Sequence, residues 1–183
     1  MKNVLMIVGS IRSSGFNHQL AQAAASVLEG RAQVSFLDFS DLPFLNQDHE
    51  FPAPASVARV RQAVGNADAL WLFVPEYNYQ MSGYLKNLLD WLSRPLSPND
   101  PPRSSAIRGK AAAISGAAGK SGAAGAREGL HRLLNVIGVS VIGGDGVGIA
   151  MGPESFGSGK LHLSPEDMAA LEQLSRALVE GAA

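Results

Sequence analysis

Ser10, Arg12, Ser13, Ser14 and Asn17 fall within nine residues, GSIRSSGFN (9–17), directly after the apolar run at residues 4–8. Hydroxyl donors and a forked guanidinium at the start of a helix suit anion binding, because the unpaired N–H groups and positive dipole end of a helix favour a phosphate. Gly9 lets the chain turn at the strand end, and Asn17 is expected to cap the helix. The spacing matches neither Gly-x-Gly-x-x-Gly nor the Walker pattern with Gly-Lys-Ser/Thr. A Rossmann dinucleotide site and a nucleotide-triphosphate hydrolase are both disfavoured.

Two further patches stand in the same relation to later apolar runs. Pro75, Glu76, Tyr77 and Asn78 follow the run at 69–74. Pro75 fixes the backbone, Tyr77 offers an aromatic wall, and Asn78 can both donate and accept. The backbone amides of residues 76 to 78 are expected to be free for the edge of a planar ring. Glu76 could act as a general acid or base, although a lone glutamate in a turn is more often solvated or paired with a basic group. SGAAGKSG (115–122) is small-sided, so backbone can approach a flat ligand closely. Taken singly, the first patch reads equally well as an ordinary serine-rich turn, and the third reads slightly better as a plain glycine-rich turn. Together the three point to one phosphate-bearing planar cofactor.

The elements needed to position these loops alternate along the chain. Residues 4–8, 33–37, 69–74, 111–115 and 139–142 read as strands, and the unbroken apolar character of several marks them as buried on both faces. Helical spacing appears in Leu20, Ala23, Ala24 and Val27, then in Val57, Val60 and Val64 of a helix expected to have Pro54 in its first turn. It recurs in Leu85, Leu88, Leu89 and Leu92, and in Leu130, Leu133, Leu134 and Ile137. Ser164-Pro165-Glu166-Asp167 opens a last helix with a cap, an N1 proline and two acids that suit the dipole. The alternation calls for a doubly wound α/β domain, a five-stranded parallel sheet of order 2-1-3-4-5 with helices on both faces, as one domain over residues 1–183. Ligands of such sheets bind beyond the carboxyl ends of the strands, where all three loops lie.

Composition narrows the function. A net charge of −1 gives no electrostatic footing for nucleic acid or anionic membranes. Absence of cysteine removes disulfides, thiolate metal sites and a cysteine nucleophile. The four histidines lack ligand spacing, so no metal is expected. No apolar run approaches a membrane span, and the amino-terminal run is too short for a signal peptide; a cytoplasmic protein is expected. Trp71 and Trp91 read as core. Ile149, Met151 and Phe156, in the glycine-rich stretch 143–159, would be awkward if exposed, and that stretch is expected to pack on a partner subunit. The third helix also spreads Tyr84, Leu85, Leu88, Leu89, Trp91 and Leu92 over more than one core-facing stripe, and the fourth adds Val136. Both surpluses point to a homodimer or homotetramer.

GSIRSSGFN, PEYNYQMSGYLKNLLDWLSRP (75–95) and DLPFLNQD (41–48) together resemble the NAD(P)H-dependent FMN reductase family, which includes quinone, chromate and azo-dye reductases. The likeness runs from residue 3 to about residue 140. It implies a flavodoxin-like fold, FMN as cofactor, NADPH or NADH as hydride donor, and a small-molecule electron acceptor such as a quinone or free flavin. By position, Ser10, Arg12, Ser14, Phe16 and Asn17 belong to the FMN phosphate end. Pro75, Glu76, Tyr77 and Asn78 border the flavin ring, and Ser115, Gly116 and Gly119 close the site. With the chemistry at flavin N5, no side chain is expected to be catalytic, and one shared open face implies a ping-pong order. The chain departs from the family at Gly15, where a serine is usual, and at residues 79–82, where YQMS replaces a small residue, serine or threonine, an apolar residue and proline. Two other classes stay open: a flavodoxin-type electron carrier, against which near-neutral charge argues, and a flavin-binding module with little turnover.

Overall fold

A computed structural model of the chain describes residues 1–101 and 103–182. The elements run β1 (Lys2–Val8), α1 (Phe16–Val27), β2 (Ala32–Phe36), α2 (Ala55–Asn66), β3 (Ala69–Phe73), α3 (Gly83–Leu92), β4 (Ala111–Ala118), α4 (Ala124–Val136), β5 (Ser140–Val141), β6 (Val147–Ala150), α5 (Pro153–Ser158) and α6 (Pro165–Gly181). All strand pairings are parallel, in the order β2-β1-β3-β4-β5. The doubly wound architecture expected from the strand–helix alternation, flavodoxin-like as the family resemblance implies, is present.

The continuous apolar strands have a direct cause in the two-layer cover. Successive side chains of a strand point to opposite faces. Val4, Met6, Val8, Trp71 and Phe73 enter one core with α1 and α6, while Leu5, Ile7, Leu70, Leu72 and Ile114 enter the other with α2, α3 and α4. Both parities must therefore be apolar. Ser164 and Asp167 form the expected reciprocal cap of α6, with Pro165 in its first turn. Pro54 is the N-cap of α2 rather than a residue of its first turn. Among the described residues no helix is long and apolar enough to cross a membrane.

Beyond residue 139 the sequence reading needs correction. The fifth strand position is filled twice, by β5 beside Ala111 and Ala112 and by β6 beside Ser115–Ala118. Six residues separate Val141 from Val147 where three separate Ala112 from Ser115, so the strand makes a three-residue excursion and then resumes. Gly143 and Gly146 close the excursion with a 3.0 Å hydrogen bond and adopt positive φ. A Cβ on Gly146 would lie 1.8 Å from the Ile114 carbonyl oxygen, so only glycine fits. Ile149 and Met151 are buried within their own chain, which removes the expected need for a partner to cover them.

The apolar surplus of α3 is likewise absorbed internally. Leu85, Leu88, Leu89, Trp91 and Leu92 are all buried, and Tyr84 stacks on Phe39 at 4.1 Å. The loop after β2 folds over the helix, and Trp91 Nε1 donates to the Pro43 carbonyl at 2.8 Å. On α4 Leu133 packs against the core, as does its C-cap Ile137, and Val136 stands exposed.

Candidate functional site

The loops after β1, β3 and β4 meet, as expected, at the carboxyl ends of the strands, around a cleft of about 390 Å³. Its walls include Ser10, Arg12, Phe16, Asn17, Pro75, Glu76, Tyr77 and Gly119. The volume lies within the roughly 300–1,000 Å³ typical of small-molecule sites. Ser82 fastens two of the loops together. Its hydroxyl donates to the Gly9 carbonyl at 2.6 Å and accepts from Leu85 N–H at 3.1 Å, capping α3 at the same time.

The loop after β1 ends at Gly15, which is the N-cap of α1; Asn17 is the second residue of the helix and does not cap it. Gly15 has no side chain to satisfy the first amides, so the N–H groups of Phe16 and Asn17 have no partner among the described residues. A Cβ at Gly15 would sit 2.9 Å from the Arg12 carbonyl oxygen, which explains glycine where a serine was anticipated. Among the described residues no hydrogen bond or ion pair engages the Arg12 guanidinium. The buried Asn17 side chain faces across to β4 instead, donating to the Ala117 carbonyl and accepting from the Ala117 N–H, both at 3.0 Å. β3 stops pairing at Ser115, so these two bonds continue the ladder past its end.

Residues 77–80 form a two-residue hairpin. Tyr77 and Gln80 exchange backbone hydrogen bonds of 2.9 and 3.0 Å around Asn78 and Tyr79, whose φ values are +52° and +64°. Two left-handed central residues define a type I′ turn, easy for asparagine and uncommon for tyrosine. The Tyr77 amide is therefore consumed, correcting the expectation that residues 76 to 78 all keep free amides; those of Glu76 and Asn78 stay open among the described residues. Tyr77 and Tyr79 project outward, more than half exposed.

Both oxygens of the Glu76 carboxylate are engaged by protein donors. Its Oε1 accepts from the Ser121 hydroxyl at 2.6 Å and its Oε2 from the Ala126 N–H at 3.0 Å. α4 has Ala123 as N-cap and no capping side chain of its own, so Glu76 caps it from the loop after β3. Burial, the largest influence, pushes this carboxyl up. The hydrogen bonds from Ser121, Ala126 and Gly125, with the Arg127 charge, outweigh burial and hold it below the usual glutamate value. Gly125 lets the helix end close onto the hairpin, since a Cβ there would lie 2.7 Å from the Tyr79 carbonyl oxygen.

Four of the anticipated residues do not line the cleft. Ser115 is fully buried and accepts a 3.0 Å hydrogen bond from Trp71 Nε1. Gly116 is packed so tightly that a Cβ would meet Ala123 Cβ and the Val74 carbonyl oxygen at 2.8 Å. Ser14 and Asn78 sit beside the cleft without lining it. Conversely, Ala117, Ala118, Met151 and Phe156 line it and were not anticipated. β4 continues three residues beyond the expected end of its strand, which brings the alanines up. The unplaced apolar residues of the 143–159 stretch were the available signal for Met151 and Phe156.

These features fit a flavin mononucleotide. One end of the cleft offers unpaired helix N–H groups and a free guanidinium for a dianionic phosphate, and the other offers an aromatic side chain, a glycine and open amides for a flat ring. No cluster of metal-ligating side chains is present among the described residues.

Comparison with known proteins points the same way. The chain is 41% identical over 133 residues to the NAD(P)H-dependent FMN reductase of Pseudomonas aeruginosa, a match covering 72% of this chain and 68% of that one. It is 41% identical over 92 residues to the 2-hydroxy-1,4-benzoquinone reductase of a Burkholderia species, which covers half of each chain. The solved structure of FerB, a flavoenzyme NAD(P)H:(acceptor) oxidoreductase from Paracoccus denitrificans, superposes with a TM-score of 0.82 at 29% identity, covering 98% of this chain and 96% of that one. An archaeal flavodoxin shares the fold alone, with a TM-score of 0.61 at 15% identity. With the NADPH-dependent FMN reductase model matching residues 2–154, the chain belongs to that family, whose cofactors are FMN and a reduced nicotinamide.

Proposed function

We propose that this protein passes electrons from NADPH or NADH through FMN to a small acceptor, with quinones the best-supported class and free flavin, azo compounds and chromate as further candidates. The observation that carries the reading is the single cleft joining the uncapped amino end of α1 and Arg12 to the Tyr77 hairpin. FMN, when bound, supplies the electron-transfer chemistry at its N5 atom. The chain's part is binding and orientation. Arg12, with the N–H groups of Phe16 and Asn17, holds the phosphate, while Pro75, Tyr77 and Gly119 border the ring. The open amides of Glu76 and Asn78 are placed to stabilise negative charge at the ring edge. Glu76 stays ionised as the cap of α4 and carries no proton to the reacting atoms. Donor and acceptor use the same exposed side in turn, which gives a ping-pong order.

A homodimer or homotetramer in the cytoplasm accompanies this reading. The family resemblance supports the assembly. The deciding experiment is the visible spectrum of the protein loaded with FMN, followed anaerobically. Bleaching by NADPH and return of colour on adding benzoquinone, with repeated turnover, support the reductase. Bleaching by dithionite but not by either nicotinamide would make it an electron carrier or flavin-binding module instead.

A further inference from the structure

The wall contributed by α5 is unlike the other walls of the cleft. The family match ends at residue 154, two positions before Phe156. Phe156 is 57% exposed, yet its ring lies edge-on against Phe16 at 5.7 Å and 86°. Phe16 is the first residue of α1, at the phosphate-loop end, and both rings line the cleft.

The mount of Phe156 is fixed on both sides. Upstream, the Met151 N–H donates to the carbonyls of Ala118 and Gly119 at 2.9 and 3.2 Å, tying the segment to the tip of β4. Downstream, Gln19 of α1 clamps the chain: its Nε2 donates to the Gly159 carbonyl at 2.9 Å and its Oε1 accepts from the Leu161 N–H at 2.8 Å. The same Nε2 reaches the Ser14 carbonyl at 3.1 Å, so one side chain holds α5 against the phosphate loop. A large aromatic ring on the wall of the cleft, half in water, would gain apolar burial from a ligand lying beneath it.

We propose that Phe156, positioned by Gln19 and backed by Phe16, covers the phosphate-loop end of the cleft and sets how long FMN stays bound. The proposal rests on the FMN reading above and adds the residue that governs cofactor retention. Phe156 excludes water from the Arg12 contacts and acts on the dissociation rate, where differences in affinity mostly reside. The exposed aromatic needs no reacting partner; it is a binding residue.

Stopped-flow flavin fluorescence tests this, with dissociation followed after dilution of FMN-loaded protein. Phe156→Ala is expected to raise the FMN dissociation rate about tenfold or more with little change in association, and Phe156→Trp to leave it near wild type. Gln19→Ala, which frees the mount and leaves the ring in place, is expected to move the rate in the same direction. Circular dichroism and unfolding midpoints of the apoproteins report that the variants fold. If Phe156→Ala fails to fold, Gln19→Ala with Phe156→Leu carries the comparison. Dissociation within about twofold of wild type in folded Phe156→Ala and Gln19→Ala overturns the proposal while leaving the FMN reading intact. Wild-type protein that leaves free FMN fluorescence unchanged overturns the FMN reading itself.

Discussion

Asn17 and Ala117 are joined by two hydrogen bonds of 3.0 Å, the side-chain amide of one completing the backbone donor and acceptor of the other. The Asn17 side chain thus holds the tip of β4 in place, while its backbone N–H is left without a partner among the described residues. Asn17→Ala leaves a buried N–H and a buried C=O without partners, each costing about 1–3 kcal/mol. The urea midpoint of the apoprotein is expected to fall accordingly. An unchanged midpoint with weakened FMN binding would instead return the side chain to direct phosphate contact.

Arg12 is expected to matter for the ligand and not for the fold, because no protein group engages its guanidinium among the described residues. Arg12→Ala removes one charge-assisted contact, about 1.5–3 kcal/mol. FMN affinity should then drop roughly tenfold or more. Riboflavin, which lacks the phosphate, should bind about as before. Titrations of both flavins by fluorescence quenching check this, and equal weakening of the two would mark Arg12 as structural.

Glu76 gives a prediction in pH. Its folded-state pKa lies below the ordinary value, so the unfolded chain binds the proton more readily. Its contribution is present above the unfolded pKa, about 4.3, and is lost as pH falls through the lower folded value. Glu76→Gln is therefore expected to lower the unfolding midpoint at pH 6 to 7. The gap should narrow as pH falls through the acid range. A gap constant from neutral pH to pH 3 would contradict the charged cap. Flavin reduction by NADPH in this variant should stay within roughly an order of magnitude of wild type, short of the 10²–10⁴ of general acid–base catalysis.

Ser115 separates core from site. Its hydroxyl satisfies the indole N–H of Trp71 inside the sheet. Ser115→Ala strands that buried donor and should destabilise the protein by about 1–3 kcal/mol. FMN affinity is expected to hold. Calorimetry and flavin titration of the same preparation give both quantities, and loss of affinity with unchanged stability would place the hydroxyl at the ligand.

The strands, helices and the three cleft-forming loops were legible in the chain because each depends on local rules. Apolar runs at 4–8 and 69–74 had to be buried on both faces, Ser164-Pro165-Glu166-Asp167 had to open a helix, and Gly9 to Asn17 had to turn between a strand and a helix. The loops were assigned correctly to one end of the sheet, since a parallel sheet puts every strand-to-helix turn on the same side. What each side chain does there depended on distance in space. Asn17 lies 100 residues from Ala117 and Glu76 lies 50 from Ala126, so no local pattern could reveal that one completes a strand edge and the other caps a helix. Ser115 followed the strand parity into the core, whereas Met151 and Phe156 reached the cleft only because β6 resumes beside β4 after an irregular excursion. Hydrophobic period and turn chemistry determine elements; the choice between binding a ligand and satisfying a distant backbone group is made by packing, which brings those partners within 3 Å.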